Sequence, residues 1–132
     1  MQQPMRAIPS VTRATILFAH GSRDPEWTRP LERLRDALLA QAPGMAVDLA
    51  FLELMQPDLS GAVEGLLARG VNTIDVVPVF MAQGKHLKRD LPLLIEEVRG
   101  RHPQLAITLS MALGEAQPVI DAMARHIIAD AK

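Results

Sequence analysis

Three features predict an α/β fold in which helices sandwich a parallel sheet: short apolar runs of strand length, amphipathic stretches of helical spacing between them, and Pro or Gly at the junctions. Four strand–helix units alternate along the chain, and right-handed crossovers build such units into one sheet covered on both faces. At 132 residues the chain has length for one core and not for two ordinary ones. The domain is expected over residues 14–132, behind a loosely ordered extension over residues 1–13.

The first strand is expected over Ala14 to Ala19, closed by the polar turn His20-Gly21-Ser22-Arg23. A helix follows over Glu26 to Ala42, with Trp27, Leu31, Leu34 and Leu38 spaced for one face and Pro43-Gly44 stopping it. Met45 to Leu54 is the second strand, interrupted by Asp48 and Glu53. Pro57 and Asp58 open a second helix that carries Leu59, Val63, Leu66 and Leu67 and ends at Gly70. Thr73 to Met81, valine-rich and almost uncharged, suits a central strand covered on both faces, with Pro78 limiting its ladder. Past Gly84, a third helix buries Leu87, Leu91, Leu94, Ile95 and Val98 and closes at Gly100. Leu105 to Leu109 gives the fourth strand, and Gln117 to Ala131 a last helix with Val119, Ile120, Met123, Ile127 and Ile128 facing inward.

Composition removes several function classes. Apolar residues make up 48% of the chain and the formal net charge is −1, which argues against disorder and against a nucleic-acid partner. There is no cysteine, so disulfides, thiolate nucleophiles, zinc knuckles and iron–sulfur clusters are excluded, and any metal must use nitrogen and oxygen donors. The opening stretch lacks the unbroken apolar run of a signal peptide, and no later run reaches bilayer length. A cytoplasmic protein without a membrane partner is expected.

Three polar residues fall where the first three strands should end: His20, Glu53 and His86, each close behind one of the three phenylalanines Phe18, Phe51 and Phe80. If the strands are parallel neighbours, these side chains emerge at the carboxyl edge of the sheet, where open α/β folds place ligands. Two imidazoles and a carboxylate suit a first-row divalent metal and accept protons near neutral pH. Three donors fall short of the four that close a structural zinc site, so the set fits a metal that arrives and leaves. A single strand-end histidine more often satisfies a backbone carbonyl; two together shift that balance. Glu53 reads equally well as a polar residue on an exposed strand end. His102, beside Pro103, and His126, on the last helix, read as structural or solvent-facing.

Arg23, Lys85, Lys88 and Arg89 cluster around the histidine turns. They are either solvated loop charge or an anion-attracting rim that favours a carboxylate-bearing substrate. Asp90 stands four residues after His86, placed either to support the imidazole or to pair outward with Lys88 or Arg89. There is no Gly-rich dinucleotide fingerprint, phosphate-binding loop, His-Glu-x-x-His or Gly-x-Ser-x-Gly motif. Ser22 is a poor candidate nucleophile.

Together, His20-Gly21-Ser22-Arg23, Phe51-Leu52-Glu53-Leu54 with Pro57, and Val77-Pro78-Val79-Phe80 through Gly84-Lys85-His86 to Asp90-Leu91-Pro92 resemble the CbiX/SirB family of sirohydrochlorin chelatases. The resemblance runs from about Ala14 to Ile128. It implies a chelatase-like three-layer sandwich around a four-stranded parallel sheet, and insertion of Co2+ or Fe2+ into sirohydrochlorin on the way to cobalamin or sirohaem, with Ni2+ a further candidate. The family's metal-site histidines carry over onto His20 and His86, and its acidic residue onto Glu53. No resident cofactor is implied, the metal being a substrate. The tetrapyrrole's carboxylates would meet Arg23, Lys85, Lys88 and Arg89, and its flat face a cleft bordered by Phe51, Phe80 and Met81. The chain has the length of the family's short form, which implies a homodimer. A metal-delivery module using the same histidines without insertion is the competing reading, and a flavodoxin-like or receiver-like domain is weakened by the missing acidic cluster and phosphate loop after strand one.

Overall fold

The structure, a computed structural model, describes residues 12–131, so residues 1–11 of the expected extension lie outside the described residues. Strands β1 (Arg13–Ala19), β2 (Ala46–Phe51), β3 (Thr73–Pro78) and β4 (Ala106–Leu109) form one parallel sheet in the order β2-β1-β3-β4. Helix α1 (Arg29–Gln41) joins β1 to β2, α2 (Leu59–Ala68) joins β2 to β3, α3 (Lys85–Arg101) joins β3 to β4, and α4 (Gln117–Asp130) follows β4. Since β2 and β3 flank β1 on opposite sides, the direction of winding reverses between β1 and β3. Right-handed crossovers then require α1 on one face and α2 with α3 on the other.

Strand alternation supplies both faces. Ile16 and Phe18 of β1, with Ile74 and Val76 of β3, join Val63 and Leu66 of α2 and Leu91 and Ile95 of α3 in the larger core. Ala19 and Phe51, on the opposite face, meet Leu31 of α1. Among the described residues no polar or charged residue is buried, as expected when apolar burial supplies most of the stabilisation.

Local chemistry fixes the element ends. Asp58 Oδ1 accepts a hydrogen bond from the Gly61 amide at 2.8 Å and caps α2. Just past that helix Gly70 takes φ +86°, a left-handed conformation that glycine adopts freely. Arg99 Nη2 donates to the Ile107 carbonyl at 2.9 Å and ties α3 to β4. The expected first helix starts late, because Pro25–Thr28 form a 3-10 turn capped by Asp24. The third strand stops at Pro78, which lacks a ladder donor, and α3 continues through Gly100 to Arg101.

The largest departure from expectation is α4. Its stripe faces inward only in part: Val119 and Met123 are half-buried beside Val79, whereas Ile120, Ile127 and Ile128 are 39%, 67% and 71% exposed, and no residue of the helix is fully buried. The helix packs chiefly on the short turn Leu113–Glu115. The sheet face behind β3 and β4 remains partly open, with Ala106 and Thr108 exposed. The three-layer sandwich is therefore observed, with its α1 face more thinly covered over β4. Among the described residues, no helix is long and apolar enough to cross a membrane.

Candidate active site

The point of reversed winding, between the carboxyl ends of β1 and β3, is where an α/β sheet leaves a crevice for ligands. The last registered pair there is Phe18 with Pro78, and the Val79 amide extends the ladder by donating to the Phe18 carbonyl at 2.8 Å. On the other side of β1, the Leu52 amide donates to the Ala19 carbonyl at 2.8 Å and the Glu53 amide to the His20 carbonyl at 3.0 Å. His20 and Glu53 are thus held together by a backbone hydrogen bond past the end of both strands.

Gly21 makes that union possible. Its φ is +98°, and a Cβ there would lie 1.8 Å from the Glu53 carbonyl oxygen. Beyond it, Ser22 Oγ accepts from the Asp24 amide at 3.0 Å, so this hydroxyl builds the turn. Leu54, with φ 68°, carries the chain away from Glu53 in a conformation costly for a side-chain-bearing residue.

The His20 ring lies on Phe80, with centroids 4.5 Å apart and planes tilted by 41°. Phe80 is itself buried, edge-on to Phe18 at 6.3 Å. The Gly114 amide donates to the Phe80 carbonyl at 2.8 Å, and a Cβ on Gly114 would sit 2.0 Å from the Met81 carbonyl oxygen. A buried aromatic platform, locked from behind by a glycine, therefore supports the exposed imidazole.

His86 is not a strand-end residue as expected. Residues 79–84 intervene after β3, and His86 is the second residue of α3. Its ring is exposed, and Arg89 Nη2 lies 3.4 Å from its Nδ1. Of the two placements open to Asp90, the ion pair is observed: Arg89 Nε donates to Asp90 Oδ1 at 3.4 Å. The first turn of α3 holds no acidic residue, yet Lys85, Lys88 and Arg89 gather there, against the positive end of the helix dipole.

The structure does not assemble His20, Glu53 and His86 into a ready ligand cage: among the described residues, no three His, Asp or Glu side chains group closely enough to hold a metal. Arg23, Lys85, Lys88, Arg89 and Met81 are exposed, whereas Phe51 is buried, 6.4 Å from the Trp27 ring, and borders a depression of about 310 Å3 with Leu52, Leu59 and Leu94. Two apolar depressions meet at Val79. One, of about 360 Å3, is walled by Trp27, Pro30 and Leu31; the other, of about 220 Å3, by Met81, Leu113 and Met123. Sequence reasoning missed the Arg89–His86 contact, although the i, i+3 spacing signals it, and missed the glycine lock, which no local pattern reveals.

The sequence model described as CbiX matches residues 14–129. A sirohydrochlorin cobaltochelatase of Saccharolobus solfataricus is 30% identical over 123 residues, covering 85% of this chain and 91% of its own. A sirohydrochlorin cobaltochelatase of Methanopyrus kandleri is 37% identical over 82 residues, covering 62% and 57%. Among solved structures, a protein of Marinobacter aquaeolei VT8 named for CbiX and cobalamin (vitamin B12) biosynthesis superposes with a TM-score of 0.76 at 31% identity, over 89% of this chain and 95% of its own. The sirohydrochlorin chelatase SirB of Bacillus subtilis subspecies spizizenii, solved with cobalt, gives 0.74 at 24% identity; this chain spans about half of it, 51%, and 91% of this chain is covered. With a match over nearly all of the sheet and helices, and with the sheet edge built as described, the chain belongs to the CbiX family.

Proposed function

We infer that this protein is a sirohydrochlorin chelatase, a lyase-class metal chelatase that inserts a divalent metal, Co2+ or Fe2+, into sirohydrochlorin in cobalamin or sirohaem biosynthesis. The observation that carries the reading is the placement of His20: at the reversal point of the sheet, resting on Phe80 and tied through its own carbonyl to Glu53. The relatives' names favour cobalt, and favour insertion over delivery alone.

Metallation removes two pyrrolic protons while the incoming ion exchanges water and protein donors for ring nitrogens. Neutral imidazoles at His20 and His86 hold the ion or take those protons, and the Glu53 carboxylate assists either task. The ring's carboxylates explain cations placed against a helix dipole: Lys85, Lys88 and Arg89, with Arg23, attract and orient an anion. Met81 and the apolar depressions at Val79 cover the macrocycle's flat face, while Phe80 acts from beneath by fixing the His20 ring.

The active protein is a cytoplasmic homodimer. The exposed isoleucines of α4 form an apolar surface of the kind that marks an interaction site, and a second copy of the same helix supplies a matching one across a twofold axis.

The test is anaerobic metallation followed by absorbance. The protein is expected to accelerate insertion of Co2+ or Fe2+ over the protein-free rate, and His20→Ala and His86→Ala each to remove most of that gain, on the order of 100-fold for a lost acid–base or ligand role. Rates equal to the protein-free control with Co2+, Fe2+ and Ni2+ would reject the reading.

A further inference from the structure

The contact between Arg89 and His86 has a chemical consequence. A guanidinium has only N–H donors, so in the 3.4 Å approach of Arg89 Nη2 to His86 Nδ1 the ring nitrogen must be the acceptor. The neutral ring then carries its proton on Nε2. In that arrangement neither nitrogen offers a free lone pair: Nε2 is protonated and Nδ1 faces Arg89. The guanidinium is held there from its other side by Asp90, whose Oδ1 accepts from Arg89 Nε at 3.4 Å. Both contacts are exposed to solvent, so an incoming anion reaches Arg89 without rearranging the core.

We propose that Arg89 is a positioning residue that masks His86 in the empty site and is drawn off by a carboxylate of the incoming substrate, so that ring binding and metal binding at His86 are coupled. An ionised carboxylate is a stronger acceptor for a guanidinium than a neutral imidazole and takes two parallel hydrogen bonds from it. Once Arg89 turns to the carboxylate, Nδ1 is free and the ring exchanges its proton with water between its nitrogens. Beyond these hydrogen bonds, the only bonds that change are the ring's own: the Nε2 proton is given to water as Nδ1 takes one from it, with no net gain or loss of protons. His86 then gains a lone pair for the metal when the macrocycle is present to receive it, and unproductive capture of metal by the empty site is reduced. The inference rests on the chelatase reading for the identity of the anion, while its central claim concerns metal affinity alone.

The experiment titrates the intact protein with Co2+, following the cobalt absorption bands, with and without a zinc-filled octacarboxylate porphyrin. That probe presents carboxylates and a flat ring but has no vacancy for the added ion. In the unaltered protein the porphyrin should tighten Co2+ binding by roughly three- to tenfold, the net worth of one ordinary hydrogen bond. Arg89→Met should bind Co2+ alone that much more tightly and show no further gain with porphyrin. Arg89→Lys, which keeps the charge and loses the planar fork, should behave like Arg89→Met. Adding His86→Ala to the unaltered protein and to Arg89→Met should abolish the difference in Co2+ affinity between them. Nitrogen-15 shifts of His86 supply a readout that a purely structural role would not move: the Nε2-protonated form should lose population in Arg89→Met. Equal Co2+ affinity in the unaltered protein and Arg89→Met, or Arg89→Lys behaviour identical to the unaltered protein, would overturn the mask, the latter leaving charge repulsion as the explanation. Failure of the chelatase reading registers separately, as absent acceleration of metallation with these affinities unchanged.

Discussion

Gly21 carries two constraints at once, because its φ of +98° is unfavourable for any side-chain-bearing residue and its missing Cβ is the space occupied by the Glu53 carbonyl. Gly21→Ala must separate the two turns, breaking the Glu53-to-His20 hydrogen bond. It should cost about 2 kcal/mol or more in urea unfolding, combining left-handed strain with a lost backbone bond, and should lower the metallation rate beyond what that instability explains. Unchanged activity in Gly21→Ala would show that the union of the two turns is dispensable. His20 and Glu53 were legible as site candidates from residue type at strand ends, but their union was not, because nothing in either segment encodes the offset of one strand against the other. The Arg89 contact was accessible from spacing. Charge complementarity points instead to the Asp90 carboxylate one residue further on, rather than to a cation with a neutral acceptor.

Helices α2 and α3 show how far periodicity reaches. Leu87, Leu91, Ile95 and Val98 are buried as their spacing requires, and Leu94 packs at the margin of the same core. Asp58 caps α2 through the Gly61 amide, and because the cap is exposed and its bond is to the helix backbone rather than to His20, Glu53 or His86, Asp58→Ala should lower unfolding free energy by about 1 kcal/mol with the metallation rate retained. A loss below a few tenths would mean that solvent satisfies that amide equally well. The same periodicity failed in part for α4. An apolar stripe states that a helix needs an apolar partner and leaves open whether the partner is its own sheet, and α4 turns away after the Leu113–Glu115 turn. Likewise the ladder of β3 ends at Pro78, before the apolar run does, so residues 79–84 separate the strand from His86, which lies past Gly84 on α3.

The molecule as a whole has a closed core on one side of the sheet and a partly open one on the other. If α4 covers its isoleucines with a second copy, Ile127→Asp with Ile128→Asp should convert a dimer to a monomer in light scattering while leaving the α2–α3 core folded. A monomeric unaltered protein would remove the assembly from the proposal. The alternation of elements and the parallel sheet were legible because each strand–helix unit satisfies its own local pattern. The thinner cover over β4 was not, since it depends on the path of a single connection. The cations on the first turn of α3 have a last consequence. They repel one another and the helix's positive end, so dissolved ions should firm that turn against fraying; the same ions shorten the reach of its field to about 8 Å at physiological ionic strength. Raising salt should therefore slow capture of the polycarboxylate ring while protecting the turn's amides from hydrogen exchange, two responses of opposite sign from the same three side chains.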